Sequence, residues 1–242
     1  MERLYSFPKD TKHFHLFTSD TDIKKHPSYR AAKAGDPDSA LKLVEDLADG
    51  FIKNIKNSLP TGLTFVTPFA KEATGDNAIP LLLSIYCAEV LQGHNEHDIV
   101  QLQRVFHTGA DPMERLISRP SFEGQVSNQA RYVLIDDVTS MGGTLAELAN
   151  YILLNGGTIA GSIVLVNAGR SLSFLPQKKH INLLKERFGD EIIQIFGIHT
   201  DGLTANEASY LVGFRTLDEI RNRCVKAKEE TALRLLSKSH SQ

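Results

Sequence analysis

The sequence is poor in what three protein classes require. It carries two cysteines, Cys87 and Cys224, in 242 residues. Both fall in helical apolar patterns, so buried thiols are expected rather than a disulfide or a metal site. No window reaches the ~18 uninterrupted apolar residues of a membrane span. Met1 to Tyr5 lacks the apolar stretch of a signal peptide. Charge of one sign is also lacking: Lys plus Arg is 27, Asp plus Glu is 29, and the net charge is −2. No global field draws the chain to nucleic acid or to an acidic membrane. The expectation is a cytoplasmic protein with neither partner and one sizeable core.

What is present is concentrated in one stretch, Tyr132 to Thr144. Tyr132–Ile135 is a continuous apolar run, the pattern of a strand buried on both faces. Asp136 and Asp137 follow at its end, and a small-residue turn, Ser140–Thr144, comes next. Leu145, Leu148, Ala149, Ile152 and Leu153 then mark a helix face, which Gly156-Gly157 ends. Gly142 and Gly143 let backbone N–H groups approach a ligand, at a helix start whose dipole favours an anion. Ser140 and Thr144 add hydroxyl donors. The two acids can accept from sugar hydroxyls, directly or through a metal. A phosphate beside a polyol fits this order.

Leu63–Thr67 reads as a second strand, followed by a polar loop and a helix from about Ile79 to Val90. Ile99–Phe106 alternates as a strand, and His107–Gln129 shows no periodicity and reads as a long loop. Ile159–Val166 is another apolar strand. The alternation from 63 to 167 predicts α/β architecture, a doubly wound, mostly parallel sheet with ligands at the carboxyl ends of its strands. His13, Phe14 and His15 alternate as in a strand or an extended arm. Asp36-Pro37 starts a helix with the stripe Val44, Leu47, Ala48, Phe51 and Ile55. Thr204–Glu207 and Thr216–Glu219 fit capping boxes. The acids at those two helix starts argue against a DNA-binding pair of helices.

Tyr132–Thr144 resembles, without a gap, the phosphoribosyl pyrophosphate (PRPP) motif of the type I phosphoribosyltransferases. The resemblance covers about residues 60–168. Arg119–Gly124 and Leu203–Ala208 look like segments of uncharacterised bacterial members. It implies one domain over 1–242, with a core at about 60–168 and helical additions, 1–58 and 169–242, forming a hood. It implies a glycosyltransferase of nucleotide metabolism, moving ribose 5-phosphate from PRPP to a small-molecule nitrogen acceptor of nucleobase type. The alternative is a regulatory protein that binds PRPP without turnover. The implied cofactor is Mg²⁺, held indirectly by Asp136 and Asp137 through ribose hydroxyls or water, and a homodimer is compatible with it.

The resemblance places the 5′-phosphate on Thr139, Ser140, Met141, Gly142, Gly143 and Thr144. It places the pyrophosphate on Pro68, Phe69, Ala70, Lys71 and Glu72, with Glu72 a candidate to help hold Mg²⁺. Catalytic roles fall to Asp136 and Asp137 at the ribose, and to Arg115 and Arg119 from a mobile loop at the leaving pyrophosphate. Members acting on 6-oxopurines carry an acid where this chain has Ser140, which counts against a hypoxanthine or guanine acceptor. Because the turn is expected at the open rim of the sheet, Gly143→Val should abolish binding and leave stability intact.

Overall fold

The computed structural model describes residues 1–68, 77–102 and 109–239. Within them the strands are β1 (Lys12–Phe17), β2 (Leu63–Val66), β3 (His94–Asn95), β4 (Val100–Gln101), β5 (Phe122–Glu123), β6 (Arg131–Thr139) and β7 (Thr158–Asn167). Five form one parallel sheet in the order β1-β7-β6-β2-β3, and β4 pairs antiparallel with β5. The helices are α1 (Thr21–Lys24), α2 (Tyr29–Lys33), α3 (Pro37–Ile55), α4 (Ile79–Val90) and α5 (Pro112–Ile117). They continue with α6 (Gly143–Leu154), α7 (Lys178–Phe188), α8 (Glu191–Phe196), α9 (Ala205–Leu211) and α10 (Leu217–Ser239).

The continuous apolar run of β6 has a simple cause. Val133 and Ile135 point to one face of the sheet, where they meet Leu43, Ile52, Leu83 and Cys87 of α3 and α4. Tyr132 and Leu134 point to the other, against Leu145, Leu148, Ala149 and Ile152 of α6. Both faces are dry, so no position of the run is polar. Each such side chain contributes about 1.5–3 kcal/mol by leaving water. From β2 the chain crosses to β3 through α4, and from β6 to β7 through α6, on opposite faces. That is the expected doubly wound, mostly parallel α/β sheet with flanking helices.

The N-terminal segment adds to the sheet itself. His13, Phe14 and His15 lie in β1, the edge strand paired with Ser162–Val164 of β7. Asp36 caps α3, accepting from Ser39 N–H at 3.0 Å. Cys87 and Cys224 are both buried free thiols. A third apolar cluster joins α5 to α7–α10 through Met113, Leu116, Leu184, Ile192, Leu211 and Ile220.

One expectation is corrected. Residues 107–129 do not form one irregular loop, since α5 and β5 lie inside it. The signal was the run Asp111-Pro112-Met113-Glu114. Asp111 accepts from Glu114 N–H at 3.0 Å, and Glu114 accepts from Asp111 N–H at 2.7 Å, a complete capping box. A helix of six residues is too short to show periodicity, so only its cap could reveal it. The strand expected over 99–106 is described as β4 alone, and 103–108 lie outside the described residues.

Candidate phosphate and sugar site

A cleft of about 560 Å³ opens at the carboxyl ends of β2 and β6. Thr67 and Pro68 line it after β2, and Asp136 to Thr144 line it after β6. Tyr29 and Lys33 of α2 close one side, and Arg115 and Arg119 another. The sheet thus gathers in one cavity most of the residues singled out from sequence. Phe69, Ala70, Lys71 and Glu72 lie outside the described residues.

The two acids occupy different surroundings. Asp137 is buried, and its oxygens accept from Val138 N–H at 2.9 Å and from the Lys33 ammonium at 2.6 Å. Asp136 accepts from Asp137 N–H at 2.9 Å. Burial first, and then the neighbouring Asp137 charge, pushes the Asp136 carboxyl well above the usual carboxylate range. Lys33 opposes that shift. Burial works against the Lys33 ammonium, but pairing with Asp137 outweighs it, and its proton is held more tightly than usual.

The turn has an open side and a covered side. Gly142 takes φ +76°, a left-handed conformation that glycine adopts without strain, and α6 starts at Gly143. No side chain caps this helix. Among the described residues, none accepts from the amides of Met141 to Leu145, the set a helix start leaves open. On the other side, each exposed carbonyl has a donor. Asn206 Nδ2 donates to Ser140 O at 3.0 Å, Thr204 Oγ1 to Met141 O at 2.6 Å, and Arg3 Nη1 to Gly143 O at 3.2 Å. A Cβ on Gly142 would meet Phe174 at 2.7 Å, and one on Gly143 would meet Glu207 Oε1 at 2.8 Å. Gly143 is therefore not at an open rim, and the expectation that Gly143→Val spares stability is corrected.

Against the turn, at the edge of the same cleft, lies a largely buried charge set. Arg3 is fully buried, with Nη2 2.5 Å from Glu207 and Nη1 3.4 Å from Glu147. Arg119 is bound by Glu147 at 2.6 Å and by the carbonyls of Phe196 and Gly197 at 2.6 and 2.9 Å. Two guanidinium and two carboxylate groups balance. Arg115 stands at the turn, its Nη1 3.0 Å from Ser140 Oγ.

Sequence reasoning missed Lys33, Arg3 and Glu147. Nothing local marks them: they come from α2, the N-terminal arm and the middle of α6. Glu207 had a signal in its capping box, and Glu207 does cap α9 while also pairing with Arg3. Asp111, Glu114 and Glu230 bring carboxylate oxygens within 4.8 Å of one another. Arg223 pairs with Asp111 and Glu230, and Arg234 with Glu114, so arginines already supply the positive charge a metal would bring.

No protein-family model matches the chain. Protein TraN of Escherichia coli is 34% identical over 219 residues, 88% of this chain and 49% of TraN. A Haemophilus influenzae protein described as uncharacterized is 34% identical over 134 residues, 54% of this chain and 30% of the relative. The chain thus spans about half or less of the curated relatives it matches. Among solved structures, the adenine phosphoribosyltransferase of Leishmania donovani is 13% identical, covers 83% of this chain and 89% of its own, and gives a TM-score of 0.37. The orotate phosphoribosyltransferase of Aeropyrum pernix is 20% identical, covers 58% and 68%, and gives 0.31. The parallel sheet order β1-β7-β6-β2-β3 with helices on both faces defines the fold. Among the described residues, no helix is long and apolar enough to cross a membrane.

Proposed function

We propose that the chain binds PRPP in this cleft and transfers its ribose 5-phosphate to a nitrogen acceptor, releasing pyrophosphate. One observation carries the reading. A single run of chain sets two acids at the end of β6 and, directly after them, open amides at the start of α6, all in one cleft. A phosphomonoester suits the amides, which need an anion. A ribose suits the acids, which need hydroxyl donors.

The 5′-phosphate lies on the amides of Met141 to Thr144 and the hydroxyls of Ser140 and Thr144. Arg115, already at Ser140 Oγ, adds positive charge there. Asp136 and Asp137 take the ribose hydroxyls. Lys33 pairs with Asp137 at 2.6 Å and fixes that acid beside the ring as the bond to pyrophosphate weakens. The anomeric C–O bond breaks, and its electron pair leaves with pyrophosphate. The acceptor nitrogen's lone pair forms the new C–N bond, and the acceptor's proton goes to solvent. Held by the Lys33 ammonium and the Val138 amide, Asp137 is preorganised beside the ring and needs no reorientation.

The donor set fits Mg²⁺ at Asp136. Lys33 and the Val138 amide already engage Asp137, whereas Asp136 faces the cleft with its acidity weakened by burial and by its neighbour, a setting that favours a cation. Bound there through water or ribose hydroxyls, Mg²⁺ would neutralise charge on the leaving oxygens. Pro68 and the residues after it, Phe69 to Glu72, are proposed to hold the pyrophosphate.

The test is pyrophosphate release from PRPP with Mg²⁺ and a panel of purine and pyrimidine bases. Release with at least one base is expected. Tight PRPP binding with no release from any base points to a regulatory, non-catalytic protein instead.

A further inference from the structure

The carbonyl side of the turn is held by residues far from it in sequence. Thr204 is fully buried at the start of α9, and its hydroxyl donates to Met141 O at 2.6 Å. That hydroxyl also accepts from Glu207 N–H at 3.2 Å, so capping fixes its direction. Asn206 donates to Ser140 O and Ser171 O, both at 3.0 Å, and accepts from Ser171 N–H at 2.8 Å. Its amide is therefore locked in orientation. A Cβ on Gly169 would lie 2.5 Å from Asn206 Nδ2 and 2.6 Å from Ser140 O, so this contact has no spare room.

A peptide plane held by its carbonyl has its amide direction fixed too. Holding Ser140 O and Met141 O away from the cleft turns the amides of Met141 and Gly142 towards it. Were these carbonyls free to rotate inward, they would present negative dipoles to an anion.

We propose that Thr204 and Asn206 are positioning residues for anion binding: they set the direction of the turn's amides without touching the ligand. This deepens the reading of the cleft as a phosphate site and rests on it. It also gives the segment after β7 a part in binding.

The experiment compares Thr204→Val, Thr204→Ser and Asn206→Ala with the wild type. PRPP affinity is measured by calorimetry with Mg²⁺, well below each melting temperature. Thr204→Val and Asn206→Ala should each weaken PRPP about tenfold, the effect of one well-directed donor to a charged group. Thr204→Ser keeps the hydroxyl and should stay within about twofold. A merely structural role lowers the melting temperature and leaves the affinity of the folded protein unchanged. Folded Thr204→Val or Asn206→Ala binding like wild type overturns the inference alone. If the wild type itself binds no PRPP, the reading of the cleft falls, and the inference with it. If Thr204→Val does not fold, Asn206→Ala decides.

Discussion

The two sides of the turn from Ser140 to Thr144 are built in opposite ways. The anion-facing surface comes mostly from one run of chain, the turn's amides, its two hydroxyls and the acids just before it, although Arg3, Lys33, Arg115 and Glu207 also line the cleft. The rear is made by residues remote in sequence, namely Arg3, Phe174, Thr204, Asn206 and Glu207. Five consecutive residues can carry a binding surface, but they cannot hold themselves in place. The binding surface is therefore local in sequence and its support is not. Substitutions on the two sides should fail differently: front changes cost affinity alone, whereas rear changes cost affinity and stability together.

The largest expected effect is at Arg3. Its guanidinium is buried between Glu207 and Glu147. Arg3→Met leaves Glu207 without a counter-charge, which costs about 3–5 kcal/mol. Denaturant unfolding measures it, and adding Glu207→Gln should recover much of the loss. A change below ~1 kcal/mol is the size of an exposed ion pair and shows the rear is not load-sharing.

Next comes acid. His13 of β1 packs its ring 4.4 Å from Phe174, which covers Gly142. Burial lowers its pKa to about 4 from 6.5. The folded state thus binds the proton less well than the unfolded chain. The stabilisation is present above pH 6.5 and is lost as pH falls from there to about 4. The loss is on the order of 3 kcal/mol. His13→Leu should flatten the stability profile over that window, and a profile parallel to wild type rules His13 out.

Gly143→Val follows. The added side chain meets Glu207, which Arg3 and the α9 cap both restrain. Overpacking of this kind costs about 1–3 kcal/mol, and PRPP binding should be lost as well. Thermal melts and calorimetry on one preparation check both. A variant as stable as wild type shows that Glu207 yields.

The smallest effect is on the front. Ser140→Ala removes one donor and should weaken PRPP by about tenfold at most, with the melting temperature unmoved. A larger loss means the hydroxyl, not the amides, carries the phosphate.

This asymmetry also explains what was readable beforehand. The doubly wound sheet was legible because β6, β7 and β2 are buried on both faces and read as apolar runs. The acids, the glycine turn and α6 were legible because they are contiguous. Helix α5 was missed because six residues cannot display a period, although its cap was in plain sight at Asp111 and Glu114. Lys33 was not legible at all. It reaches Asp137 only because α2 folds over the cleft, 104 residues away in sequence. Arg3 looked like an ordinary polar residue near a chain start, and only its burial reveals the ion network. Residues 69–76 lie outside the described residues, so the expected pyrophosphate contacts stand as proposals.

The central claim is that this cleft takes a phosphoribosyl ligand through the β6–α6 turn. Titrating PRPP into the protein with and without Mg²⁺, followed by calorimetry, tests it most directly. The account predicts a saturable heat for one site per chain, strengthened by Mg²⁺. No detectable heat at millimolar PRPP under either condition would contradict it.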